Sequence, residues 1–139
     1  MEQASTSDTP QTKRIGLLGE QLAVQFLEKN GYTVLERNYR AGHEEIDIIG
    51  RSEKYLVFFE VKTRSCLYPG ASRYGRPSSA VRYGKQSHLL SAARTYLHTH
   101  PHTGLQPRMD VIEVYLGRAA PGVMPPVLKI HHIRNAFGA

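Results

Sequence analysis

From Lys13 to Asn30 apolar residues recur at intervals of three and four, at Ile15, Leu18, Leu22, Ala23, Phe26 and Leu27, the mark of a helix with one buried face. Gly31 stands where a left-handed residue would end it. The period then changes. Tyr32 to Asn38, Glu45 to Ile49 and Tyr55 to Thr63 are short runs rich in Val, Ile, Phe and Tyr, separated by RAGH and RSEK, and they predict three strands in an antiparallel meander. Helical spacing returns from Lys85 to His98, with Leu89, Ala93, Tyr96 and Leu97 on one side and Pro101 closing the run. Met109 to Leu116 and Val127 to Ile133 predict two more strands, so the expected order is α-β-β-β-α-β-β, a mixed α/β (α+β) sheet fold. Residues 1 to 11 are polar and aperiodic, and a disordered tail is expected there, followed by one domain over 12–139.

A chain of 139 residues, 40% of them hydrophobic, supplies an ordinary core for a single domain without disulfides or a structural metal. The lone Cys66 has no internal disulfide partner and reads as an inert cytosolic thiol. No stretch approaches the roughly 20 apolar residues that span a bilayer. The opening MEQASTSDTPQTKR lacks the apolar run of a secretory signal, so the expectation is a cytoplasmic protein with no membrane partner.

Charge is unevenly distributed. Residues 1–60 hold ten acids and seven bases, whereas residues 61–139 hold two acids and eleven bases. Between Glu60 and Asp110 there is no carboxylate, while Lys62, Arg64, Arg73, Arg76, Arg82, Lys85, Arg94 and Arg108 accumulate. Such a surface suits a polyanion, because each Lys or Arg that neutralises a phosphate releases condensed counterions. A plain solvated basic face is the alternative.

The acids that do occur in apolar strands need a reason. Asp47 lies between Ile46 and Ile48, and Glu60 between Phe59 and Val61, with Lys62 two residues on. Carboxylates in such company are costly to bury unless they meet a cation. A hairpin centred between Ser52 and Glu53 would set Asp47 opposite Phe58 and diagonal to Glu60, placing Asp47, Phe58, Glu60 and Lys62 on one face. Two such carboxylates can hold one Mg2+ (or Mn2+), which keeps open positions for a phosphate oxygen and a water. Lys62 would orient that water or neutralise charge on the phosphate. Glu20, at the border of the apolar stripe of the first helix, could reach the same site. The competing explanation is a structural cross-strand ion pair.

Asp47 followed by Glu60-Val61-Lys62 and preceded by a helical Glu20 resembles the PD-(D/E)xK nuclease superfamily, its archaeal Holliday junction resolvases in particular. More closely, GLLGEQLAVQFLEKNGYTVLERNYR, EEIDII, LVFFEVKTRS, Ala80-Val81 with Lys85, and RMDVIEVY resemble the YraN-type family of endonuclease-like proteins, over about residues 14 to 137. The resemblance implies a restriction-endonuclease-like core. It also implies metal ligands at Asp47 and Glu60, a catalytic Lys62, and Glu20 completing the site. One departure is Glu44, which replaces the glycine of the family's GEID.

The expectation is thus a Mg2+-dependent endonuclease acting on structured or branched DNA, dimeric by analogy with small nucleases that cut two strands. The alternative is a nucleic-acid-binding module on the same fold whose cleavage is lost or conditional. Ser65 to Gly84, with Tyr68 and Tyr74 interleaved with Arg73, Arg76 and Arg82, is a long loop suited to stacking on bases and binding phosphate. Arg64 and Lys85 join the expected nucleic-acid contacts. Asp110 reads as a structural partner for an arginine. His98, His100, His102, His131 and His132 read as surface residues, since no closed zinc ligand set accompanies them.

Overall fold

The computed structural model describes residues 11–65, 83–101 and 104–137. The expected disorder of the first ten residues, and the expected roles of Cys66, Tyr68, Arg73, Tyr74, Arg76, Arg82 and His102, lie outside these. Helix α1 (Gln11–Lys29) is followed by strands β1 (Thr33–Ala41), β2 (Glu44–Arg51) and β3 (Tyr55–Ser65), helix α2 (Tyr83–Thr99), and strands β4 (Gln106–Leu116) and β5 (Val127–Phe137). The order is the expected one, with Gln11 already inside the helix. Gly31, at φ +91°, ends α1, and the Tyr32 amide donates to the Leu27 carbonyl.

The five strands form one sheet in the order β1-β2-β3-β4-β5. β1–β2, β2–β3 and β4–β5 pair antiparallel; β3 and β4, linked through α2, pair parallel. The helices cover opposite faces. Ala23 and Leu27 of α1 pack on Ile48, Val57, Phe59, Ile112 and Val114, while Leu89, Ala92, Ala93 and Tyr96 of α2 pack on Ile46, Ile49, Leu56, Phe58 and Val111. Alternation along β3 sends Leu56 and Phe58 to one layer and Val57 and Phe59 to the other. Among the described residues no helix is long and apolar enough to cross a membrane.

The hairpin register differs from expectation. Arg51 pairs with Leu56 and Ile48 with Phe59, so the turn centres between Glu53 and Lys54. Ser52 closes it: its amide donates to the Tyr55 carbonyl, and its Oγ accepts from the Tyr55 amide at 3.2 Å. With the register shifted by two, Asp47 and Glu60 are the first residues beyond the last pair, Ile48↔Phe59, and Asp47 does not stand opposite Phe58.

Two buried polar networks brace β4. Asp110, fully buried, accepts from Arg108 Nε at 2.9 Å and Nη2 at 2.8 Å, from the Asn135 amide at 2.9 Å, and lies 2.7 Å from His132 Nε2. Burial pushes its pKa up, but the hydrogen bonds from His132, Arg108 and Asn135 outweigh it and hold the carboxyl below the usual range. Asp110 is therefore the arginine partner expected of it. His132 is not the surface residue expected: its side chain is 8% exposed, packed edge-on against Tyr32 and beside Phe59, because a buried carboxylate needs a partner from β5. Glu113, also fully buried, is met by Arg64 at 3.3 Å, Tyr115 Oη at 2.9 Å and His131 Nδ1 at 3.3 Å.

Candidate functional site

The β2–β3 ladder runs from Arg51↔Leu56 to Ile48↔Phe59 and goes no further, although both strands continue. Beyond it Asp47 replaces the missing backbone acceptor: its Oδ2 takes the Val61 amide at 2.8 Å. Ile46 and Ile49, three apart, both pack under α2, whereas Ile48 packs under α1, so β2 is irregular around Asp47. The gap this leaves at the sheet's end is a cavity of about 340 Å3 whose walls include Gly16 and Glu20 of α1, Asp47 of β2, and Glu60, Thr63 and Ser65 of β3.

Glu20 enters because α1 lies unusually close to β3. A Cβ on Gly19 would collide with Thr63 Oγ1 and stand 2.9 Å from its Cβ, so only glycine allows this approach. Glu60 is buried, and two ammonium groups hold its Oε2: Lys62 Nζ at 3.6 Å and Lys85 Nζ, from α2, at 3.5 Å. Glu20 thus arrives from the α1 side and Lys85 from the α2 side, with Glu60 between them.

The electrostatics are those of carboxylates crowded together. Burial first, and then the negative charge of Glu60, push the Asp47 carboxyl up from 3.8 to about 8, against the lowering effect of the Val61 amide; Glu20 adds to the rise. Burial, then Glu45 and Glu60, raise Glu20, opposed by the Arg37 charge and by the nearby polar Asn38 side chain. Among the described residues Glu20 Oε1 is buried with no hydrogen-bond partner. An orphaned carboxylate oxygen, a second carboxyl that keeps its proton near neutrality and an all-oxygen donor set fit a hard divalent cation such as Mg2+ or Mn2+. Among the described residues no group of three or more His, Cys, Asp and Glu is placed to hold a metal ion. Mg2+ does not require one, since it is held by one or two carboxylates and keeps several waters.

Of the expected site residues, the fold brings Glu20, Asp47 and Glu60 into one cavity, with Lys62 and Lys85 on Glu60. Lys85, read from the sequence as a phosphate contact, is an ion-pair partner within the site. Arg64 turns to the buried Glu113 and is 23% exposed, so its guanidinium is committed inside the sheet. Asn38 and Arg37, which act on Glu20, were not signalled by any periodicity or motif spacing. Ser65, at the end of β3, also lines the cavity.

Comparison with known proteins places the chain. A UPF0102 protein of Caldanaerobacter subterraneus subsp. tengcongensis is 39% identical over 128 residues, covering 90% of this chain and 95% of that one. A UPF0102 protein of Acetivibrio thermocellus is 42% identical over 123 residues, covering 88% and 89%. A far looser likeness joins it to a solved structure, Pyrococcus furiosus SfsA in complex with Ca2+, at 16% identity and a TM-score of 0.39, over 86% of this chain and 63% of that one; it bears no weight here. Residues 19–114, the span from Gly19 beside Glu20 through Asp47, Glu60 and Asp110, match the model described as uncharacterised protein family UPF0102, and the chain belongs to that family.

Proposed function

We propose that the protein is a divalent-metal-dependent phosphodiesterase of the PD-(D/E)xK superfamily, an endonuclease on a restriction-endonuclease-like core that acts on structured or branched DNA in the cytoplasm. The observation that carries this reading is the convergence of Glu20, Asp47 and Glu60 on one cavity at the open end of the β2–β3 ladder. Asp47 and Glu60 would hold the cation, with Glu20 completing the site. Mg2+ or Mn2+ bound there supplies charge neutralisation for a phosphate and activation of a water. Lys62, 34% exposed beside Glu60, bears the positive charge that meets a phosphate oxygen, and Lys85 supports it from α2. The basic second half of the chain supplies counterion-releasing contacts to the backbone, and two copies would be needed to cut two strands together.

One observation favours a second reading. Both lysines are drawn onto Glu60, which gives a neutralised site and suits a nucleic-acid-binding module whose cleavage is conditional. Incubation with Mg2+ or Mn2+ and junction, flap or linear DNA separates the two. The first expects metal-dependent cuts that Glu60→Ala and Lys62→Ala each abolish while DNA affinity is largely kept. Absence of cuts with every substrate, together with salt-sensitive binding, supports the second.

A further inference from the structure

On the face of the sheet that α2 covers, the side chains change character partway along the strands. Phe58 pairs with Met109 and Val111 with Ile133, and all four belong to the apolar packing under α2. The next two rows are charged. Lys62 pairs with Glu113 and Glu113 with His131; two residues further along, Arg64 pairs with Tyr115 and Tyr115 with Lys129. Alternation puts these six side chains on one face. Over the same length the opposite face of β4 stays apolar, with Ile112, Val114 and Leu116 under α1. Three cations, Lys62, Arg64 and Lys129, thus face one carboxylate, Glu113. That carboxylate ties the patch together from below: it accepts from Tyr115 Oη at 2.9 Å and meets Arg64 Nη2 and His131 Nδ1, each at 3.3 Å. Lys129 Nζ stands 4.9 Å over the Tyr115 ring, and its side chain is exposed. Lys62 joins the patch to the cavity, since its Nζ lies 3.6 Å from Oε2 of Glu60, a wall of that cavity. From Lys62 to β5 is two strand spacings, roughly 10 Å.

We propose that this basic face, anchored at its outer end by Lys129, binds the phosphodiester backbone of the DNA strand that enters the cavity. The proposal rests on the reading of the protein as one that acts on DNA, and names the surface that holds the substrate beside Glu60 and Lys62. A backbone is the partner of matching chemistry, because the patch offers spaced positive charge on a flat sheet. Contacts of that kind position a nucleic acid without reading its sequence.

The test is fluorescence anisotropy of labelled junction and duplex DNA with the full chain, in EDTA to prevent metal-dependent cuts, over a range of KCl concentrations. Lys129→Ala is expected to weaken binding about fivefold to tenfold at about 0.1 M salt and to lower the salt slope by up to about 0.9 on duplex DNA, equally for two unrelated sequences. Lys129→Arg should restore both. Lys54→Ala removes the same charge from an exposed position in the β2–β3 turn, roughly 26 Å along the strand from Lys62, and should change neither. Thermal midpoints of all three variants should stay close to that of the wild type. If Lys129→Ala keeps the wild-type affinity and slope, if Lys54→Ala lowers the slope as much, or if affinity is lost only together with thermal stability, the face is a solvated one and the proposal fails while the DNA reading stands. If the wild type binds neither DNA at any salt concentration, the DNA reading fails and the proposal falls with it.

Discussion

Asp47→Asn is expected to make the protein more stable while it removes a ligand of the proposed cation. The Asp47 carboxyl sits at about 8 in the folded chain against 3.8 as its ordinary value, because burial and Glu60 both oppose its charge. Between those two pH values the folded state holds a proton that the unfolded chain has released. Stability therefore falls as pH rises through this window and levels off above it. At about 1.4 kcal/mol for each pH unit, the full shift has a ceiling of about 6 kcal/mol. Asparagine recovers less than that. Its Oδ1 can still accept the Val61 amide, but a neutral acceptor is worth about 1 kcal/mol less than a charged one, and Glu60 keeps its own desolvation cost. A gain of about 2 to 3 kcal/mol at pH 8 is the expectation, roughly 6 to 12 °C in Tm for a chain of this size. The assay is the difference in Tm between variant and wild type in EDTA, from pH 4 to pH 9. The difference should be small near pH 4, grow to pH 8 and then plateau. Saturating Mn2+ should stabilise only the wild type, increasingly with pH. A difference that stays flat across the window, or a variant less stable at pH 8, would refute the account of Asp47 as a charge suppressed by its neighbours.

Gly19→Ala should push α1 off β3, costing about 1 to 3 kcal/mol in urea denaturation and weakening Mn2+ binding through Glu20. Thr63→Ala should recover part of the loss, since it removes Oγ1 and Cγ2 but leaves Cβ 2.9 Å from the added methyl. Asp110→Asn, outside the cavity, should cost about 3 to 5 kcal/mol at neutral pH by stranding Arg108, with Mn2+ affinity unchanged. Because the folded Asp110 pKa is lowered, its contribution is present above 3.8 and lost as pH falls through the folded value, so the variant's acid limb should be shallower than the wild type's.

The elements were legible where a period or a punctuating residue fixed them. The stripe from Ile15 to Leu27 and the Gly31 stop define α1, and the apolar runs of β3 and β4 stand out because both faces of each are buried. The carboxylates of the site were legible for the opposite reason, since acids inside apolar strands conflict with burial and so mark a partner or a ligand. What the pattern missed were contacts set by side chains acting on backbone. The Ser52 hydroxyl accompanies a hairpin centre moved by one residue, which ends the ladder at Ile48↔Phe59 and leaves Asp47 and Glu60 just beyond it. His132 reads as polar beside Ile133, and only the pairing of β4 with β5 delivers it to Asp110. The positive φ of Asn38 leaves no trace in hydrophobic spacing.

The substitution of a carboxylate for a backbone carbonyl at Val61 also gives the site its own indicator. The Val61 amide is tied to Asp47 Oδ2 and to no strand neighbour across the gap, so its solvent exchange is governed by one side chain and not by the opening of the sheet. Amides of Val57 and Phe59, inside the ladder, should exchange at the rate of sheet opening whatever occupies the cavity. Val61 should respond to anything that takes hold of Asp47. A single backbone amide, followed by exchange or by its nuclear resonance, therefore reports the state of the carboxylate cluster without a substrate, a product or a label.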